Sequence, residues 1–163
     1  MSKSILYGLS SLVLCAVVLT PLTLVAQGTT NQIEGPKLKE MIVNIGYETR
    51  DLNSEKGKEK YEFTLKKGGL NIPVGAEISP SKNYIWLTVF LGDSKDLSDL
   101  PGRSVNLLKQ NFKVQPSLFY ITEKGNLMIA MAIDNRAVDP PVLRRCLEKV
   151  TDDVVASQAL WSK

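Results

Sequence analysis

Histidine is missing from this chain of 163 residues, and cysteine occurs only at Cys15 and Cys146. The first shortage excludes Ser-His-Asp and Cys-His nucleophilic systems and His-ligated zinc. The second excludes a Cys-rich structural zinc site. Charge of one sign is also lacking, since Lys and Arg number 20 against 17 Asp and Glu. So even a balance argues against a nucleic-acid partner, which calls for a strongly basic face. The densest basic segment, Lys56 to Lys67, is interleaved with Glu59 and Glu62 and reads as a solvated hairpin rim.

Fragments of catalytic and ligand motifs are present but lack their context. Ser79-Pro80-Ser81-Lys82 matches S-x-x-K, whose chemistry needs serine and lysine one helical turn apart inside a large cleft. Pro80 and Asn83 instead mark a turn between two strands. Asp93-Ser94-Lys95-Asp96-Leu97-Ser98-Asp99 gathers carboxylates, but lysine stands at the third position and no Gly and Glu follow in register, so it is no EF-hand loop. Gly68-Gly69 has no strand-to-helix setting and is a turn rather than a phosphate cradle.

What is present begins with an export signature. Lys3 precedes an uncharged apolar run from Ile5 to Leu19, followed by Pro21 and the small-x-small tripeptide Ala26-Gln27-Gly28. Residues 1–28 are therefore expected to be a signal peptide, and 29–35 a flexible leader. The chain is then exported to the periplasm, cell envelope or medium. The alternative is an uncleaved anchor, because residues 5–26 carry no charge and are long enough to span a bilayer. A membrane contact is expected only in that case. Cys15 follows Leu14 inside the apolar run, which does not suit lipid attachment. Cleavage leaves 135 of the 163 residues, with 19 basic against 17 acidic, enough for one domain over 36–161. Cys146 then has no partner for an intrachain disulfide, so the fold must stand by burial.

Pattern supplies the elements. Pro36 opens a helix with Leu38, Met41, Ile42 and Ile45 on one face and Gly46 at its C-terminal cap. Tyr47 to Leu52 offers a first strand. Tyr61, Phe63 and Leu65 alternate with polar partners, and so do Leu70, Ile72, Val74, Ala76 and Ile78, with Pro73 marking an edge or bulge. Tyr84 to Leu91, YIWLTVFL, is the most apolar stretch after the export signature and the natural centre of a sheet. Leu100 to about Phe112 reads as a helix with Val105, Leu108 and Phe112 inward. Leu118 to Thr122, a turn at Glu123–Asn126 and Leu127 to Ile133 form a hairpin. Asp139 caps a last helix that starts at Pro140 and turns Val142, Leu143, Cys146, Leu147, Val150 and Val154 inward. Cys146 is thus a core residue rather than a reactive thiol. The expected class is α+β, an antiparallel sheet of about five strands with three helices in the order α-β-β-β-α-β-β-α.

Two features bear on binding. Trp86 and Phe90 would present a partner surface wherever their strand is left uncovered. Asp134-Asn135-Arg136 is a compact polar cluster beside the apolar strand. It reads either as a small recognition site or as a loop that satisfies backbone groups, with Arg136 paired to Asp134.

The run LFYITEKGNLMIAMAIDNRAVDPPVLRRCLEKV resembles the YbjN-like bacterial domains, in the superfamily of type III secretion (Tir-type) chaperones. The matching features are strand, Gly-containing turn, apolar strand, Asp134-Asn135-Arg136, the Asp139-Pro140 helix start and Val142-Leu143-Arg144. YIWLTVFLG, Leu100-Pro101 and Leu160-Trp161 resemble exported members of such families. The resemblance implies an α-β-β-β-α-β-β-α domain, often a homodimer, that binds polypeptide segments or acts in regulation. This chain departs from the secretion chaperones, which act in the cytoplasm, by carrying an export signal. The expectation is a non-enzymatic, chaperone-like domain that binds protein or peptide, with no cofactor, no metal and no nucleic acid. The alternatives are a membrane-tethered regulator and a carboxylate-based hydrolase using Asp93, Asp96 or Asp134, which would need two carboxylates converging in one cleft.

Overall fold

The computed structural model describes residues 32–93 and 100–162, so the expected signal peptide and Asp96 lie outside the described residues. The elements are α1 (Gly35–Asn44), β1 (Arg50–Asn53), β2 (Lys60–Lys67), β3 (Leu70–Ile78), β4 (Tyr84–Asp93), α2 (Leu100–Val114), β5 (Leu118–Ile121), β6 (Asn126–Asp134), α3 (Pro140–Ala156) and α4 (Gln158–Trp161). The strands form one antiparallel sheet in the order β1-β2-β3-β4-β6-β5. The class is α+β, as the pattern predicts. Among the described residues the sheet has six strands, close to the expected five, and its first, β1, overlaps the Tyr47–Leu52 stretch that the sequence offers as a strand. The one-turn helix α4 is additional; Trp161 Nε1 donates to the Val154 carbonyl at 2.9 Å and folds it back on α3.

Local chemistry explains the boundaries. α1 closes with Gly46 at φ +102°, the Gly46 N–H on Val43 O and the Tyr47 N–H on Ile42 O. These are the two bonds of a Schellman ending, which needs a residue free of Cβ strain at that glycine. Asp139 accepts from the Val142 N–H at 2.7 Å, and Pro140 follows at the first helical position. Pro73 does lie in an interior strand, but β4 pairs with β3 only from Val74 onward, so the proline is locally at an edge.

The core lies on one face of the sheet. Tyr61, Phe63, Leu65, Ile72, Val74, Ile85, Leu87, Val89, Ile129 and Met131 meet Leu38 and Ile42 of α1 and Leu143, Leu147, Val150 and Val154 of α3 in a single buried cluster. Each such aliphatic side chain stabilises the fold by about 1.5–3 kcal/mol through burial. Cys146 is half-buried at the margin of this layer, and burial pushes its thiol pKa up, which opposes reactivity.

α2 is where the expected inward face is wrong. Val105, Leu108 and Phe112 are 50%, 68% and 82% exposed, while Leu107 and Val114 are buried. The reason lies in Asn111, whose amide donates to Phe119 O at 3.2 Å and accepts from the Phe119 N–H at 2.6 Å. This bracket seats the Leu107–Asn111–Val114 side of the helix along β5 and turns the more apolar side outward. The helix also runs on to Val114, beyond its expected end, and a cis Gln115–Pro116 bond follows.

Candidate binding surfaces

Strand parity leaves the second face of the sheet without a covering helix among the described residues. Register places Trp86 beside Ala132, Thr88 beside Ala130 and Phe90 beside Met128 on that face, with Tyr84 beside Asp134 at one end. Trp86 is half-buried, and Phe90 and Tyr84 are exposed. The strand that the sequence marks as the apolar centre thus buries Ile85, Leu87 and Val89 and presents Trp86 and Phe90 on the open side.

The Asp134-Asn135-Arg136 cluster divides by the same parity. Asp134 and Arg136 are solvent-facing and form a short bidentate pair, with Arg136 Nε at 3.0 Å from Oδ1 and Nη2 at 2.7 Å from Oδ2. The guanidinium and the Arg136 backbone N–H hold the Asp134 carboxyl at a pKa of about 2, below its ordinary value. Asn135 is fully buried and serves the backbone. Its amide donates to Ile33 O at 3.1 Å and Lys82 O at 2.8 Å, and its oxygen accepts from the Ile33 N–H at 3.2 Å. Through this bracket and the Gln32–Asn83 hydrogen bond, residues 32 and 33 of the expected leader are tied to the end of the sheet. Residues 29–31 lie outside the described residues.

The catalytic fragments stay apart. Lys82 Nζ pairs with Glu34 at 2.8 Å, while Ser79 Oγ accepts from the Tyr84 N–H inside the turn. Asp93 pairs in register with Asn126 at one end of β6 and Asp134 lies at the other end. Eight residue steps separate them, roughly 26 Å at the rise of an extended strand. These two carboxylates cannot share a cleft. Among the described residues there is no group of three His, Cys, Asp or Glu side chains placed to hold a metal ion.

A surface that the pattern misassigns is the outer side of α2. Val105, Leu108 and Phe112 stand at i, i+3 and i+7 and form one exposed apolar stripe. Next to it a groove of about 180 Å³ opens between α2 and the hairpin, lined by Ser104, Leu107, Leu108, Phe119, Ile121 and Leu127. The signal for this surface was in the sequence as the apolar stripe itself, and its outward direction was not.

No protein-family model and no curated protein matches the chain. Solved structures do. The ExsC–ExsE complex contains a chain 14% identical to this one, with a TM-score of 0.55 over 78% of this chain and 95% of that chain. The HopA1–SchA chaperone–effector complex matches at 12% identity and a TM-score of 0.48, over 71% and 84%. The structure of the Yersinia pestis type III secretion chaperone SycH in complex with a stable fragment of YscM2 contains a chain that matches at 13% identity and a TM-score of 0.48, over 75% and 97%. At these identities the likeness is one of fold, and the chain shares the fold of a chain in the ExsC–ExsE complex.

Proposed function

We propose that this protein is a non-enzymatic, exported binding domain of the YbjN-like kind, which associates with polypeptide and pairs with a second copy of itself through α2. The observation that carries the proposal is the stripe of Val105, Leu108 and Phe112, with Phe112 82% exposed. An apolar stripe of this kind on a helix is stable in water only at a cost, and covering Leu108 and Phe112 stabilises a complex by about 1.5–3 kcal/mol each. A helix face is also readily self-complementary about a two-fold axis. A solved chain of this fold occurs in the ExsC–ExsE complex, which supports the same reading. An exported chain would not escort effectors in the cytoplasm, so the proposed role is polypeptide binding in the envelope.

Light scattering over a concentration series tests the pairing. The wild-type chain is expected to be a dimer and the Leu108→Asp/Phe112→Asp variant a folded monomer. A wild type that stays monomeric at every concentration would overturn the proposal. Export is tested by N-terminal sequencing of the protein recovered from the envelope fraction, where a start near Thr29 is expected. A chain that retains the run beginning at Ile5 would instead be anchored.

A further inference from the structure

On the open face of the sheet a trough crosses the strands. Its floor is made of Thr88 and Ala130, which are register partners, with Gly75 beside Thr88 beyond one end and the larger Leu118 beside Ala130 at the other. Glu77 and Trp86, themselves register partners, rise along one side, and Tyr120 rises from β5 on the other. The space between them is about 330 Å³. Gly75 gives the Thr88 side chain room at this end, since a Cβ there would lie 2.7 Å from Thr88 Oγ1.

A cationic side chain already stands beside the trough. Lys60 crosses the Gly75 end, with its Cε 3.6 Å from where a Cβ of residue 75 would be, and its Nζ stands 3.3 Å from Glu77 Oε1. That pair is looser than Lys39–Asp51 or Lys67–Asp152, both at 2.7 Å. The negative charge of Glu77 also reaches the far wall, where it adds to burial in raising the Tyr120 pKa. A carboxylate with two electron-rich ring systems beside a shallow floor favours a cation over an anion or a neutral apolar group.

We propose that this trough is the anchor point for a cationic side chain, arginine or lysine, of the polypeptide that the domain binds, held by Glu77 and by the ring faces of Trp86 and Tyr120. The Lys60 ammonium is then an internal competitor that the incoming cation displaces from Glu77. The proposal rests on the polypeptide-binding reading above and uses a different surface from the α2 stripe.

The test follows the indole N–H resonance of Trp86 in the ¹⁵N-labelled chain during titration with N-acetyl-arginine amide. N-acetyl-citrulline amide, of the same shape without the charge, is the control. The Trp161 indole, bonded to Val154 O, serves as the reference for an intact fold. A saturable shift of Trp86 with arginine is expected, at least tenfold weaker with citrulline. Glu77→Gln should weaken the arginine response at least tenfold, and Lys60→Met should preserve or strengthen it. Equal responses to the two probes, an unchanged response in Glu77→Gln, or a Trp86 resonance that never moves would each overturn the proposal. A normal arginine response in a chain that does not self-associate would remove the α2 pairing alone; dimers with a silent Trp86 would remove the trough alone.

Discussion

Asn135 and Arg136 are neighbours in sequence with opposite fates. Asn135 is enclosed and spends its amide on the main chain of Ile33 and Lys82, 102 and 53 residues away. Asn135→Ala should therefore strand buried backbone groups and cost about 1–3 kcal/mol, read as a lower urea midpoint. Arg136 is outside and acts on Asp134. Because its bonds depress the Asp134 pKa to about 2, their contribution is present above the ordinary carboxylate range and is lost as pH falls toward 2. In Arg136→Gln the Asp134 carboxyl should titrate higher than in the wild type but still below 3.8, because the backbone N–H of residue 136 keeps its bond to Oδ1; carbon-detected NMR reads the shift. The sequence shows the cluster and the Arg136–Asp134 pair. It could not show what Asn135 bonds, because those partners come from distant parts of the chain and are carbonyl and amide groups common to every residue.

The helices show the same limit at the next scale. α1 and α3 were legible because cap and period agree: Gly46 and the Asp139-Pro140 start bound apolar faces that the sheet then covers. In α2 two faces obey the helical period, Val105–Leu108–Phe112 and Leu107–Asn111–Val114, and hydrophobicity alone selects the first. The second wins because Asn111 satisfies the Phe119 main chain, a gain that a polar residue hides from any hydrophobic pattern. The two faces should answer differently to truncation. Leu107→Ala should cost about 2–5 kcal/mol in chemical denaturation, as a buried leucine does. Phe112→Ala should change the stability of the isolated monomer by no more than about 0.5 kcal/mol and weaken self-association instead.

For the molecule as a whole, packing onto one side of a sheet has to hold α2 and α3 together without cross-links. Lys149 supplies one tie between them. Its ammonium meets both Asp153 oxygens at 2.5 Å and the Val114 carbonyl at the end of α2 at 2.9 Å. The Asp153 side chain is only 11% exposed, so Lys149→Met should leave a shielded carboxylate unpaired. A lowered thermal midpoint is expected, with the loosening seen by hydrogen exchange around residues 110–118. From the sequence Lys149 belongs to the solvent face of its helix, and nothing local marks the tie. The overall layering was legible because strand alternation and the Leu127–Ile133 run are long-wavelength signals. The identity of the uncovered face was not, since it depends on where three helices come to rest.

The bracket of Asn111 on β5 has a consequence for how copies could join edge to edge. It clasps the β5 rim at Phe119, while β1 at the other rim is four exposed residues, Arg50 and Asp51 among them. Two molecules stitched β1 to β1 would carry the Asn111–Phe119 clasp at both outer ends. A strand that added to β5 would have to displace Asn111 from both main-chain groups of Phe119, a competition that β1 does not impose.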